Sequence, residues 1–165
     1  MNAYVEAYED LLATLGELVE ANATVPVIVE GERDVRALRE VGLTGEVLPL
    51  NTGVPLFNLA EAISRRHRRA IILTDWDRRG GQLARLLRDA LEANGVRYDD
   101  AFRARLTTLC RKDIKDVEGL AWFVERLSRQ VEGGWQGKAS KRFYAERKNT
   151  AVRERRARRI LGKKG

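Results

Sequence analysis

One cysteine and one histidine in 165 residues leave little room for chemistry that depends on either. Cys110 has no second cysteine for an internal disulfide, and no Cys/His cluster exists to hold zinc. His67 stands among Arg65, Arg66, Arg68 and Arg69, with no serine or cysteine beside it that it could activate. Hydrolysis of the Ser-His-Asp type is therefore excluded, and Cys110 reads as a small buried side chain. No apolar run approaches the roughly 20 residues that cross a bilayer, so no membrane partner is expected. The opening residues, Met1-Asn2-Ala3-Tyr4-Val5-Glu6, lack a basic stretch leading into an apolar one, as a secretory signal would have. These absences describe a cytoplasmic chain. Its apolar fraction of 44% supports a real core, and its length suits one α/β domain plus an appendage.

What is abundant is positive charge, and it is unevenly placed. Residues 135–165 hold twelve Lys/Arg against two acids, a net +10, so residues 1–134 carry the balance of the chain's +7, a net −3. An acidic body with a basic, aromatic-interleaved extension calls for a polyanionic partner, and nucleic acid or the ribosome is the natural one. Lys141, Arg142, Arg155, Arg156, Arg158 and Arg159 are its candidate phosphate contacts. The alternative is a solvated tail with no partner. Residues 150–161 could become helical on a polyanion.

Upstream, the apolar pattern switches repeatedly between two periods. Tyr4 to Ala21 predicts an amphipathic helix. Val25 to Val29 is a β-branched, continuously apolar strand of the doubly buried kind. Next come a helix over Asp34–Val41, a strand over Glu46–Leu50 and a helix over Pro55–Arg66. Ala70 to Thr74 is the clearest strand, and the helix after it is expected from about Gln82 to Ala93. Tyr98 to Cys110 reads as a helix, as does Val117 to Val131, with Gly133-Gly134 as a hinge into the basic segment. Strands alternating with helices predict a parallel sheet with covering helices.

In such sheets functional groups gather at the carboxyl ends of the strands. Here those ends carry acids: Glu30 after the first strand, and Asp75 and Asp77 after the third. Aspartates two apart can point to one side, and converging carboxylates suit Mg²⁺, a hard ion that retains water for exchange with phosphate. Asp34, Asp113 and Asp116 are possible additional acids. Asp116 and Glu118 also fit simple capping of the next helix. Arg33, Arg78 and Arg79 flank the acids, either as phosphate clamps or as their ion-pair partners.

Val29-Glu30-Gly31-Glu32-Arg33-Asp34, with Thr74-Asp75-Trp76-Asp77-Arg78-Arg79-Gly80 further along, resembles the Toprim domain, the catalytic module of topoisomerases, bacterial primases and the 5S-rRNA maturation nucleases. The likeness covers roughly residues 24–130 and is nearest to stand-alone archaeal small-Toprim proteins. It implies a Rossmann-like parallel sheet of about four strands flanked by helices, with a helical C-terminal part and basic tail. The expected units are an N-terminal helix over 1–23, the domain over 24–132 and the extension over 133–165. By the same resemblance Glu30 is a general acid/base or metal ligand, Asp75 and Asp77 hold Mg²⁺, and Gly53 lies in a turn beside the site. Two positions depart from the pattern. Arg79 stands where topoisomerases carry a further acid, which argues against a second tightly held metal unless Asp113, Asp116 or Glu118 replaces it. Trp76 stands where many relatives have proline, and either packs against its neighbours or stacks on a base. Two functions are expected: a Mg²⁺-dependent nuclease for structured RNA rather than DNA, or a non-catalytic protein that binds nucleic acid or the ribosome.

Overall fold

The computed structural model describes residues 3–134. Its elements run α1 (Ala3–Asn22), β1 (Val27–Val29), α2 (Glu32–Glu40), β2 (Val47–Pro49), α3 (Leu56–Ser64), β3 (Arg69–Ile72), α4 (Arg78–Ala93), β4 (Arg97–Asp99), α5 (Ala101–Cys110) and α6 (Leu120–Gly134). The four strands form one parallel sheet in the order β2-β1-β3-β4. Continuous apolar character in β1 reflects a sheet covered on both faces: Val27 and Val29 enter one core, and Ile28 enters the other. β3 repeats the division, with Ile71 on the first side and Ala70 and Ile72 on the second. The first core is closed by α1, α2, α5 and α6, and the second by α3 and α4. No described helix is long and apolar enough to cross a membrane.

Three differences from the sequence-based expectation have physical reasons. Residues 97–110 divide into an edge strand and a helix. The strand, Arg97-Tyr98-Asp99, has charged ends and only part-buried or exposed positions, so no apolar run announces it. The chain turns where Asp99 Oδ1 accepts the Ala101 N–H at 2.9 Å. α4 begins four residues early, at Arg78, because Asp77 caps it. α6 continues through Gly133 and Gly134, where the glycine pair predicts a hinge. The basic segment from residue 135 onward, with Lys141, Arg142, Arg155, Arg156, Arg158 and Arg159, lies outside the described residues.

The end of α1 is tied to the sheet by one amide. Asn22, 1% exposed, donates through Nδ2 to the carbonyls of Val25 (3.1 Å) and Glu46 (2.9 Å) and accepts the Gly45 N–H at 2.8 Å. Removing it leaves the Val25 carbonyl and the Gly45 N–H without this partner, while the Glu46 carbonyl keeps the Val27 N–H, so Asn22→Ala should cost roughly 2–4 kcal/mol. In urea unfolding the midpoint should fall while the slope is unchanged.

Candidate functional site

β1 and β3 are neighbours, so the residues just beyond each of them meet at the carboxyl edge of the sheet. Glu30 comes directly after β1. Past β3 the Leu73 N–H still bonds the Ile28 carbonyl at 2.8 Å, and two residues later the Asp75 N–H donates to Glu30 Oε2 at 2.9 Å. Asp75 Oδ1 in turn accepts the Val117 N–H at 3.0 Å. The turn after β2 reaches the same edge, where the Asn51 N–H bonds the Glu30 carbonyl at 2.9 Å. Gly53 lies exposed in this turn with φ +78°, a left-handed conformation suited to glycine. Asp34, buried in the first turn of α2, accepts the Gly31 N–H at 3.0 Å.

These acids crowd one another. Burial pushes the Asp75 carboxyl up to about 8, reinforced by its hydrogen bond with Glu30 and the charges of Asp34 and Glu30, and opposed by the Val117 N–H. Burial also raises Asp34; the Gly31 N–H works against the rise, and the charges of Glu30, Asp116 and Glu118 add to it. No described cation forms an ion pair with Glu30, Asp34 or Asp75. The site gathers acids without a direct ion-pair partner among the described residues.

The backbone around Asp75 is fixed from three directions. Asp77 Oδ1 accepts the Gly80 N–H at 2.7 Å and starts α4. The Thr74 hydroxyl donates to the Gly80 carbonyl at 2.7 Å. Arg103 of α5 donates to the carbonyls of Thr74 (3.1 Å) and Asp75 (2.7 Å). Sequence reasoning misses Arg103, since its partners lie 28 and 29 residues away and a lone arginine on a helix carries no motif. Its pKa is lowered, first by burial and then by Arg88, with Asp100, Glu30 and Asp77 opposing. Trp76, part-buried, packs against the first core and donates its indole N–H to the Ile114 carbonyl at 2.6 Å. Its backbone N–H bonds the Lys115 carbonyl at 3.1 Å.

Loop 111–119 is thereby drawn against the site, although only part of its acid complement takes part. Asp113 pairs with Arg126 at 3.0 Å. Asp116 Oδ1 accepts the Gly119 N–H at 2.8 Å, capping the turn that leads into α6. Glu118 lies 3.9 Å from Arg33, both of them exposed. Arg78 and Arg79 project into solvent from the first turn of α4 without an ion-pair partner among the described residues. At the opposite end of β3, Arg66 clasps Glu46 at 2.6 and 3.1 Å, and His67 Nε2 lies 3.6 Å from the same carboxylate. Cys110 is buried and its thiol is pushed up to about 12 by burial and the charge of Asp113, which rules it out as a nucleophile.

No three acidic, histidine or cysteine side chains among the described residues form a ready-made metal cage. The donor set nevertheless fits a hard divalent ion of the sparsely held kind, bound through one or two carboxylates with water and phosphate oxygens completing its shell. Glu30 and Asp75 each commit one oxygen to a backbone N–H and leave the other for a ligand, with no ion-pair partner among the described residues.

Residues 25–109 match the Toprim domain. The chain belongs to the Toprim family, whose members are metal-dependent nucleic-acid enzymes and binding proteins and hold divalent ions. Among curated proteins it is similar to UPF0292 proteins of archaea. With that of Methanosarcina barkeri it shares 40% identity over 74% of this chain and 84% of the relative. With that of Methanocaldococcus jannaschii it shares 31% identity over 73% of this chain and 94% of the relative. A solved structure of an Aquifex aeolicus protein superimposes with a TM-score of 0.57 at 24% identity, covering 64% of this chain and 94% of that one, a likeness of fold.

Because the Asp75 pKa is raised by folding, its contribution to stability is complete below its ordinary value of 3.8 and is lost as the pH climbs through about 8. In EDTA, wild type should therefore lose stability relative to Asp75→Asn across that window. The asparagine supplies the neutral shape, accepting from Val117 and donating to Glu30. Adding Mg²⁺ at pH 8 should raise the melting temperature of wild type and leave Asp75→Asn unmoved. Parallel pH curves for the two proteins would remove the charge conflict from the account.

Proposed function

We propose that this chain is a cytoplasmic, Mg²⁺-dependent phosphodiester enzyme, a nuclease that acts on structured RNA. The observation that carries the reading is the Glu30–Asp75 pair at the carboxyl edge of a parallel sheet: the Glu30 carboxylate accepts the Asp75 N–H beside the Asp75 carboxyl, with Asp34 close enough to raise it and no ion-paired cation among the described residues. A structural role rewards no such arrangement, because like charges brought together out of water cost stability. Glu30 and Asp75 would hold the ion, which when bound supplies charge neutralisation and polarises a phosphate oxygen, while Asp77 spends one oxygen on capping α4. Glu30 is the group placed to take a proton from an attacking water and return it to the leaving oxygen.

Arg78 and Arg79 support the same assignment. A helix N-terminus disfavours cations, yet both occupy the first turn of α4 with no carboxylate paired to them among the described residues. A phosphate held there satisfies the arginines and the helix end together. Arg33 lies on the rim, only loosely engaged by Glu118. Gly53 lets the turn beside Glu30 approach the backbone of a ligand. RNA is favoured over DNA by the arginine-rich, aromatic-interleaved segment beyond residue 134, where Lys141, Arg142, Arg155, Arg156, Arg158 and Arg159 would supply sequence-independent, salt-sensitive affinity.

A second reading is favoured by the capping of α4 by Asp77 and by the lack of a three-acid cage among the described residues. It is a protein that binds RNA or the ribosome without cutting it. Labelled structured RNA and duplex DNA, incubated with the full chain in Mg²⁺ or EDTA, separate the two. The nuclease should cleave RNA only with Mg²⁺ and lose roughly 10²–10⁴-fold in rate on Glu30→Gln. Tight binding without cleavage of either substrate would establish the second reading, and cleavage that survives both EDTA and Asp75→Ala would overturn the metal-site assignment.

A further inference from the structure

Trp122, in the first turn of α6, has 55% of its surface in solvent, while Leu120, Phe123, Val124 and Leu127 around it are buried. Its ring is backed by Arg126, whose guanidinium carbon stands 5.3 Å from the ring centroid. Arg126 is itself held by Asp113 at 3.0 Å. Indole and guanidinium are thus fixed as a unit, anchored to the loop that grips the acid pair. From Asp113 to Val117, whose N–H binds Asp75, is four residues, a reach of at most about 14 Å. The same loop exposes Arg111, Lys112 and Lys115, none of them in an ion pair with a described residue. A large aromatic face, pre-oriented by an arginine and tied to a loop that exposes three cations, matches the chemistry of an unstacked nucleobase on a phosphate chain.

We infer that Trp122, braced by Arg126, is a stacking platform for an unpaired base of the nucleic acid whose phosphate lies at Glu30 and Asp75. The inference rests on the nucleic-acid reading above and narrows its substrate class. In a continuous duplex every base is already stacked on its neighbours. A bulge, loop or single strand offers a free base, and the platform selects for it.

The test is binding by fluorescence anisotropy, in EDTA and in Mg²⁺, with the full chain and two RNAs of equal length and charge: a hairpin with one bulged nucleotide and an uninterrupted hairpin stem. Trp122→Ala should weaken binding of the bulged RNA roughly 5- to 100-fold. Trp122→Phe should restore most of it, and both variants should bind the uninterrupted stem like wild type with an unchanged salt slope. Because the side chain is exposed, both variants should melt like wild type. Equal weakening on both RNAs, or none, would overturn the platform. So would sedimentation showing that Trp122→Ala converts an oligomer to a monomer, since the ring would then serve contact between copies. Bulge selectivity that disappears with Trp122→Ala in a protein that cuts nothing would refute the nuclease and leave the platform standing.

Discussion

Gly80 approaches the Asp75 carbonyl so closely that a methyl group in its place would sit 1.7 Å from the oxygen. This close passage is the constraint on which the site is built. It allows α4 to begin right after β3, with Asp77 capping the helix and Thr74 bonded to Gly80 across the turn. The short connection leaves Asp75 no freedom to drift from the strand end. Its N–H must then meet Glu30, because β1 and β3 are paired in parallel register. Any larger residue at position 80 would have to push α4 from the sheet or turn Asp75 away from its partner.

The strands and the acids are legible in the sequence because their signals are local. β1 and β3 are short apolar runs, and a carboxylate after a doubly buried strand has few ordinary uses. The start of α4 is harder to read at Gly80 and Gly81. Glycine pairs usually mark turns, whereas here the first of them is demanded by a steric contact inside the opening turn of a helix. β4 escapes because an edge strand with charged ends has no apolar run to show. The most consequential omissions are contacts made over long stretches of chain: Arg103 to the carbonyls of residues 74 and 75, and the Val117 N–H to Asp75. No spacing within the chain encodes these, since they exist only once α5 and the loop before α6 have closed over the first core.

Electrostatically the domain separates two kinds of charge. Around Glu46 or Asp113, arginines meet carboxylates at ordinary ion-pair distances, and the pairs are partly open to solvent. At the carboxyl edge the arrangement differs. Arg103 directs its hydrogen bonds to backbone carbonyls, while Arg78 and Arg79 point outward, and the acids are left to one another. Positive charge is near enough to shape the region without cancelling it. Such a site is tense when empty, and any small cation or proton that enters relieves it.

Two of the contacts that hold Asp75 are made with main-chain atoms: its carboxylate receives the N–H of Val117, and its carbonyl is presented to Arg103. The loop before α6 therefore contributes to the acid pair through an atom that every residue except proline possesses. The exposed side chains of Arg111, Lys112 and Lys115 can therefore change while the carboxylate keeps its orientation. A chain of this design can change what it binds by substitution at those three positions, with the acids at the strand ends left in place.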